Sequence, residues 1–419
     1  MSINFLYITY DFPPKGMQSG IRALEISKRL VKKKHCPIIL TTKIEKNTLL
    51  NHSLIHEIPY SLNIHRTPFF EIKNNYISSF LNFFFRFDFY IGWVPFAYSE
   101  GRRILSENKN IKFIYASGPP FHTHIIGYLL KRKFQIPLIL EYRDPWSFTY
   151  YYKKIKHRLQ KDEQWLNRKI NLSLEKRILQ SSDMIITVSS ALILFLKTNF
   201  PSIKNKPLFS ITNGLNVQKL DNYDKNKDEE IIFTFTGRLY GKRSILPLLT
   251  IISYLKKENF TKDFRFSLKI FGRYNKKNLG NIVKKLDIED IMYLGDLIPR
   301  SDALKEIKRC DIAVHIGENI NYPTIAFKVW DYLSCRKKIL YLGLENSYTA
   351  NFLKRNDFGI IIPINDLIEG KKRLKRLLID INNNRFNNLI QDEQIINFSW
   401  DNKATIFINK IIKNLVPNC

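Results

Sequence analysis

Short apolar runs rich in β-branched and aromatic residues alternate along this chain with longer segments of helical period. In the first half of the sequence the predicted strands are Phe5–Tyr10, Pro37–Thr42, Lys112–Ser117, Pro137–Tyr142 and Asp183–Ser189. A β-α-β alternation of this kind predicts a parallel sheet that is covered by helices. Because the runs are largely apolar throughout, we expect the sheet to be buried on both faces.

A second series of the same kind follows Asn213 and Gly214. Its predicted strands are Ile231–Gly237, Phe266–Gly272, Ile291–Gly295, Asp311–Gly317, Lys337–Gly343 and Phe358–Pro363. The polar stretch Asp221–Glu230 is interpreted as a surface connection, and Ser399–Leu415 as an amphipathic terminal helix. The pattern predicts two doubly wound α/β domains, residues 1–212 and 213–395, followed by the segment 396–419. The carboxyl ends of both sheets are expected to face one interdomain cleft, where open α/β sheets bind ligands.

The composition adds a strong positive charge to this picture. Lys and Arg total 67 and Asp and Glu total 38, so the formal net charge is 67 − 38 = +29. This excess favours polyanions in general, namely nucleic acid, anionic lipid or phosphorylated small molecules, and it does not choose among them. The chain is also rich in Asn, Ile and Lys, so a genome-wide compositional bias is an alternative source of the charge.

The cysteines and the apolar segments indicate where the chain resides. None of Cys36, Cys310, Cys335 and Cys419 forms a CxxC pair, so neither a zinc site nor a disulfide framework is indicated. The first residues do not resemble a secretory signal, and no uninterrupted apolar run reaches the ~18–20 residues that span a bilayer. We expect a cytoplasmic protein that can contact a membrane without crossing it.

The loops that follow predicted strands carry the candidate chemistry. Gly20 follows the first strand and opens a helix, where a ligand can approach the backbone. In TGRLYGKRS, Arg238, Lys242 and Arg243 place three cations beside two glycines, which suits a diphosphate. An ordinary strand-to-helix turn and a solvated basic turn remain the alternatives. Neither loop has the spacing of a dinucleotide fingerprint or a P-loop, so bound NAD is poorly supported and an ATPase is excluded.

Another loop runs into a helix at YPTIAFKVWDYLSC, and its N-terminus near Ile325 could meet a phosphate. Lys328 and Asp331 are three residues apart and share one face of this helix. Asp331 could accept hydrogen bonds from vicinal ribose hydroxyls. The alternative is an exposed ion pair between the two side chains.

Two sites in the first domain also follow predicted strands. SGPPFHTHIIG carries His122 and His124, and LEYRDPW carries Arg143 and Asp144. Structural and functional interpretations of these four side chains stay open. No pair of carboxylates with the spacing of a metal site is evident, so no metal is expected. Since the loops also lack a dinucleotide fingerprint, no cofactor is expected either.

Together these loops resemble the GT-B glycosyltransferases, specifically glycosyltransferase family 4. The resemblance is carried by the order of YDFPPKGMQSGIR, ASGPPFHTHIIGYLLKRKFQIPLILEYRDPW, SSDMIITVSS, TNGLN, FTGRLYGKRS and FKVWDYLSCRKKILYLG across nearly the whole chain. It implies two Rossmann-like domains, with the acceptor on the side of residues 1–212. The donor is a nucleotide-diphosphate sugar on residues 213–395. Residues 396–419 are expected to cross back onto the first domain.

The resemblance also implies roles for particular residues. Arg238 and Arg243 would contact the donor diphosphate and act in catalysis, with Lys242 and Lys328 beside them. Asp331 matches a glutamate that binds the donor ribose. His124 matches a histidine near the donor sugar and is the third candidate catalytic residue, and Gly20 belongs to the loop near the reaction centre. His122, Arg143 and Asp144 are candidates for the acceptor side.

The sequence departs from the family's pattern at three of these loops. Pro323 stands where the family's paired acidic motif has its first glutamate, eight residues before Asp331, so that glutamate's role does not carry over. Asn216 and Glu141 each stand where an aspartate is usual.

The expected activity is transfer of a sugar from a nucleotide-diphosphate sugar to a glycan or lipid-linked acceptor, with retention, in bacterial surface-polysaccharide assembly. A nucleotide-sugar epimerase of the same fold, a non-catalytic sugar-nucleotide-binding protein and a basic nucleic-acid-binding protein are the alternatives. No nucleic-acid-binding signature is present, so nucleic acid is not an expected partner. Tyr151–Leu179 is a candidate for contact with an anionic membrane, at its inner face, and Phe80–Trp93 is a candidate for contact with lipid or acceptor. Packing within the protein is the alternative for both segments.

Overall fold

The computed structural model describes residues 2–44, 50–70, 89–147, 161–217, 230–239, 244–260, 265–317, 320–383, 385–387 and 389–415. The chain divides into two compact units, one formed by Met1–Gly214 with Trp400–Cys419 and the other by Leu215–Ser399. The sequence places these divisions slightly earlier, at 212/213 and 395/396.

The described strands of the first unit form one parallel sheet in the order β3-β2-β1-β4-β5-β6-β7. They are β1 (Asn4–Thr9), β2 (Cys36–Thr42), β3 (Asn63–Thr67), β4 (Ile111–Gly118), β5 (Leu138–Tyr142), β6 (Met184–Thr187) and β7 (Leu208–Ser210). The helices between them are α1 (Gln18–Lys32), α2 (Val94–Glu107), α3 (His122–Phe134), α4 (Lys161–Ser181) and α5 (Ser190–Asn199). The strand order reverses between β1 and β4, which makes this the switch point of a doubly wound sheet.

The second unit repeats the arrangement with the strand order β10-β9-β8-β11-β12-β13. Its strands are β8 (Ile231–Arg238), β9 (Phe266–Arg273), β10 (Met292–Gly295), β11 (Ile312–Ile316), β12 (Ile339–Gly343) and β13 (Gly359–Pro363). Its helices are α6 (Leu246–Lys257), α7 (Lys276–Lys285), α8 (Arg300–Arg309), α9 (Phe327–Ser334), α10 (Tyr348–Arg355), α11 (Leu367–Asn382) and α12 (Asp392–Ile395). The switch point lies between β8 and β11. Both sheets are parallel and doubly wound, which confirms the predicted α/β fold class.

The first sheet is buried on both faces, as its apolar strands predict. Leu6 and Ile8 of β1 belong to a core cluster on one face. On the other face Phe5 and Tyr115 contact Phe407, a residue of the last described helix, α13 (Trp400–Leu415). The ring centroids of Tyr115 and Phe407 are 5.0 Å apart. The helix α13 is therefore part of the core of the first unit.

The described end of α4 packs its apolar side chains against its own unit. Ile178 and Leu179 are fully buried, and Leu172 and Leu174 pack against the core cluster of the first sheet. These contacts favour the packing alternative for this half of the predicted membrane-contact segment. Residues 71–88 and 148–160, which contain most of the other candidate membrane contacts, lie outside the described residues. In the described part of the chain, no helix combines the length and the hydropathy that crossing a bilayer requires.

The carboxyl edge of the second sheet depends on a pair of glycines. Gly237 and Gly272 are direct partners in the register of β8 and β9. A Cβ atom on Gly272 would lie 1.7 Å from the Gly237 carbonyl oxygen, and Gly237 itself has a φ of +153°. Side chains at these two positions would therefore force the strand ends apart.

We expect Gly272→Ala to lower the free energy of unfolding by about 3 kcal/mol or more, because the clash is with backbone that cannot move aside cheaply. Chemical denaturation checks this, with Gly280→Ala as the matched control. A Cβ on Gly280 meets no atom within 4 Å, and alanine in the helix α7 should add up to ~1 kcal/mol. Equal stability of the two variants would contradict the described register.

Candidate active site

The loop after β1 lies at the switch point of the first sheet and is held by its own side chains. Ser19 donates a hydrogen bond to Asp11, and the buried Lys15 ammonium donates to the Thr42 hydroxyl at 2.5 Å. The helix α1 begins at Gln18, so Gly20 lies in its first turn. A Cβ on Gly20 would stand 3.2 Å from the Lys15 carbonyl oxygen. The glycine thus lets the loop pack directly on the helix.

A buried ion pair fixes the base of this site. The Arg22 guanidinium donates to Glu141 Oε1 from Nε at 3.0 Å and from Nη2 at 2.7 Å, and both side chains are almost completely buried. Its remaining donors reach the carbonyl oxygens of Ile211 and Thr212 and the side chain of Asn213. All five N–H groups of Arg22 are therefore satisfied, which a buried guanidinium requires.

The Glu141 carboxylate is held in its charged form by this arrangement. Burial opposes ionisation, but the Arg22 guanidinium, with Arg143 and the Ser117 hydroxyl, outweighs it and keeps the pKa of Glu141 below its usual value. Ser117 donates a hydrogen bond to the second carboxylate oxygen. Sequence reasoning missed Arg22 as a site residue. The available signal was a charged residue within the apolar face of α1, together with Glu141 within the apolar run LILEY.

His124 lies against the same carboxyl end of β5. Its Nε2 donates to the Glu141 carbonyl oxygen at 3.0 Å, and its ring contacts Phe121, Tyr142 and Trp146. Burial lowers the pKa of His124 to about 3, so the imidazole is neutral near pH 7. The ring has no exposed surface. In this arrangement it positions the end of β5, and the catalytic role suggested by the resemblance stays a prediction.

The three acceptor-side candidates also lie at the carboxyl ends of β4 and β5. His122 is buried at the first turn of α3, and burial lowers its pKa to about 4. Arg143 donates to the Pro119 carbonyl oxygen, which joins the loops after the two strands. Asp144 is half-buried in the next position. The structure brings these side chains to the same sheet edge, next to the switch point.

A second buried carboxyl group supports the loop after β5. Glu175 of α4 is fully buried, and its Oε2 accepts a hydrogen bond from the Ser147 backbone N–H at 3.0 Å. Burial raises the pKa of Glu175 to about 7, against the favourable effects of Ser147 and Tyr142. Glu175 therefore titrates near neutral pH in the folded protein, and nothing in its sequence context indicated this.

In the second unit, the predicted donor-site residues flank the switch point of β8 and β11. Arg238 is the last residue of β8 and is exposed. Lys328, in the first turn of α9, crosses over Gly237. Its Cε and Nζ would lie 2.9 Å and 3.2 Å from a Cβ at Gly237. The glycine therefore makes room for a lysine beside Arg238. Lys242 and Arg243 belong to residues 240–243, which lie outside the described residues.

Asp331 is held by a partner that sequence reasoning missed. Arg300, the first residue of α8, donates to Asp331 Oδ1 at 2.5 Å. The Asp331 side chain keeps 17% of its surface exposed, which leaves part of the carboxylate accessible to a ligand. The helix α9 is itself joined to the end of β8, because the Tyr332 hydroxyl donates to the Thr236 carbonyl oxygen at 3.2 Å. Lys328 and Asp331 therefore lie on a helix that is joined to the strand end that carries Arg238. Within the described part of the chain, no group of three or more His, Cys, Asp or Glu side chains could hold a metal ion.

Solved structures share the architecture of the whole chain. Sucrose-phosphate synthase from Thermosynechococcus elongatus matches with a TM-score of 0.68 and 15% identity, over 100% of both chains. The lipopolysaccharide outer core galactosyltransferase WaaB matches with a TM-score of 0.62 and 12% identity, over 99% of this chain and 100% of WaaB. HepE from Anabaena, solved in complex with UDP-glucose, matches with a TM-score of 0.59 and 11% identity, over 98% of this chain and 100% of HepE. The two parallel sheets therefore form a GT-B fold.

The sequence itself is similar to a glycosyltransferase family. Residues 19–219, just under half of the chain, match the family model of Glycosyltransferase Family 4. The chain therefore has the GT-B fold and resembles Glycosyltransferase Family 4, which confirms the resemblance predicted from its loops. One curated protein, Ycf2 from Physcomitrium patens, is 33% identical over 100 residues, which is 24% of this chain and only 4% of Ycf2. The chain spans so little of that relative that the match supports no statement about activity.

We expect Arg22→Ala to lower the free energy of unfolding by about 3–5 kcal/mol, because it leaves the Glu141 carboxylate buried without its counter-ion. Denaturation measurements check this against Arg103→Ala. The pairs of Arg103 with Glu100 and Glu107 are on the surface, and their loss should change the stability little. The double variant Arg22→Met with Glu141→Leu should recover part of the loss. If Arg22→Ala lowers the free energy of unfolding no more than Arg103→Ala does, the buried pair does not stabilise the fold.

The raised pKa of Glu175 makes stability depend on pH. Between the ordinary value of 4.5 and about 7, the folded state holds a proton that the unfolded chain releases. The stabilisation of the folded state by this proton is therefore complete below about pH 4.5 and is lost as the pH rises through about 7. Between these pH values the free energy of unfolding of the wild-type protein should fall by on the order of 3 kcal/mol. In Glu175→Gln this fall should be absent. Unfolding free energies from about pH 4 to about pH 8 measure it, with the exposed Glu107→Gln as control. If the unfolding free energy of Glu175→Gln falls with pH as steeply as that of the wild-type protein, the Glu175 carboxyl is not the source of the pH dependence.

Proposed function

We propose that the protein is a glycosyltransferase that transfers a sugar from a nucleotide-diphosphate sugar to a glycan or lipid-linked acceptor. The observation that carries the proposal is the edge formed by Arg238, Lys328 and Asp331 at the switch point of the second sheet. Open α/β sheets bind ligands at this place. Two cations beside a glycine suit a diphosphate, and a partly accessible carboxylate suits ribose hydroxyls. The binding of UDP-glucose by HepE, which has the same fold, supports a donor of this class.

In the proposed mechanism, Arg238 and Lys328 bind the diphosphate and stabilise the negative charge that develops on it as the glycosidic bond breaks. Asp331, oriented by Arg300, accepts hydrogen bonds from the ribose. Arg243 and Lys242 are proposed to add to the diphosphate site. We propose retention of the anomeric configuration, with the departing phosphate as acceptor of the proton from the attacking hydroxyl. This follows the resemblance to family 4.

The acceptor side is proposed to lie at the edge that carries His122, Arg143 and Asp144. Surface-polysaccharide assembly in a bacterium is the proposed setting, supported by the fold shared with an enzyme named for the lipopolysaccharide outer core. A lipid-linked acceptor would bring the protein to the inner face of the membrane. The net charge of +29 favours an anionic surface there.

Thermal unfolding with a panel of nucleotide sugars tests the donor, because a ligand that binds only the folded state raises its stability. With the donor found, Arg238→Ala should reduce kcat/KM by about 10²–10³-fold, as expected for a lost contact to the developing charge. Asp331→Asn should mainly raise KM for the donor. Arg355→Ala is the matched control, because Arg355 is exposed at the end of α10.

Three results would count against this proposal. If no nucleotide sugar stabilises the protein, the donor site is wrong. If Arg238→Ala turns over as fast as Arg355→Ala, the diphosphate contact is wrong. If the donor is converted to another nucleotide sugar in the absence of any acceptor, the protein is an epimerase of the same fold.

A further inference from the structure

A second arginine stands directly beside Arg238 in the sheet. The parallel register of β8 and β9 pairs Gly237 with Gly272 and Arg238 with Arg273. The Leu239 N–H donates to the Arg273 carbonyl oxygen at 3.0 Å, so the pairing continues past the two arginines. Neighbouring strands are about 4.8 Å apart. The sequence therefore ends two adjacent strands with Gly-Arg, and the fold places both arginines at one edge.

Both arginines belong on one face of the sheet, because they are partners in the parallel register and such partners have the same orientation. The carboxyl end of β8 is joined to α9, since Thr236 contacts the Tyr332 hydroxyl through its backbone and its own hydroxyl. Lys328 of the same helix crosses over Gly237, the residue before Arg238. The two arginines therefore stand at the sheet edge that α9 approaches.

The stability of the folded chain does not account for this arrangement. Both arginines are exposed. Within the described ranges, neither guanidinium has a hydrogen bond or an ion pair with another residue. Like charges directly opposite each other on neighbouring strands are destabilising. An anion bound between them would remove this repulsion.

We propose that Arg273 is a second donor-binding arginine, which with Arg238 clamps the diphosphate of the nucleotide sugar. This inference rests on the proposed function and adds to it a residue outside the loops that carry the family resemblance. Two planar guanidinium groups in register can each bind phosphate oxygens in a bidentate manner. The two neighbouring positive charges match the two negative charges of a nucleotide-sugar diphosphate, which has one on each phosphoryl group. The sheet, rather than a flexible loop, sets their spacing.

The test compares Arg273→Ala with Arg265→Ala. Arg265 is exposed immediately before β9, at the opposite end of the same strand. The two variants therefore lose the same charge from the same strand, and only one of them loses it at the proposed site. The probes are UDP, GDP, ADP, the corresponding nucleosides and inorganic pyrophosphate, titrated by calorimetry at two salt concentrations.

We expect the nucleoside diphosphate that binds the wild-type protein best to bind Arg273→Ala at least 10-fold more weakly. The affinity of Arg273→Ala for this ligand should also depend less steeply on salt. The affinity of Arg265→Ala and its salt dependence should equal those of the wild-type protein. Arg273→Lys should recover only part of the affinity, because an ammonium lacks the bidentate geometry. Without ligand, Arg273→Ala should unfold at the same or a higher temperature than the wild-type protein, because the repulsion is removed. If Arg273 were needed only for the fold, Arg273→Ala would unfold at a lower temperature than the wild-type protein.

The outcomes separate this inference from the function on which it rests. If the wild-type protein binds a nucleoside diphosphate and Arg273→Ala binds it equally well, Arg273 is not part of the site and the proposed function stands. If Arg273→Ala and Arg265→Ala weaken binding equally, the effect is general charge and the clamp is wrong. If the wild-type protein binds none of the diphosphates, the clamp and the proposed donor site fall together.

Discussion

The buried ion pair of Arg22 and Glu141 is the constraint on which the first unit depends. It joins α1 to the end of β5, and through the other Arg22 donors it also fixes residues 211–213, where the chain leaves this unit. Because Ser117 and His124 are also bonded to Glu141, one carboxylate residue aligns the ends of β4 and β5 with α3. Desolvating two charges is costly, and only the complete set of partners makes their burial tolerable.

The second unit achieves a comparable alignment by the opposite means. The first unit fills its sheet edge with buried charge, whereas the second has glycines at its edge. Gly237 and Gly272 let the strands converge, and Gly237 lets Lys328 cross over it. Arg238 and Arg273 at this edge remain at the surface rather than in the core. One unit thus uses buried charge to hold its own backbone, and the other keeps these charges exposed.

The central strands were predictable because they are apolar, and their observed bounds lie within a residue or two of the predicted ones. The edge strands β3 and β7 were missed. β3 reads NIHRT and β7 has three residues, and most of their side chains are only partly buried, so neither forms an apolar run that a pattern search can find. Contacts between residues that are distant in sequence could not be predicted either. Nothing local indicates that Arg22 meets Glu141, that Asp331 pairs with Arg300, or that Arg273 stands beside Arg238. Such contacts follow from strand order and register, which appear only with the fold.

The helix α13 has a consequence for how the protein is made. Its residues Trp400 and Phe407 are buried against Arg22, Phe5 and Tyr115, all from the first third of the chain. During synthesis the early strands leave the ribosome long before this helix exists, and the whole of Leu215–Ser399 is made in between. The part of the first sheet's face that α13 covers therefore stays exposed while the second unit is being translated. A truncated product that stops before residue 400 would expose that face permanently, which would direct incomplete chains towards chaperones or proteases.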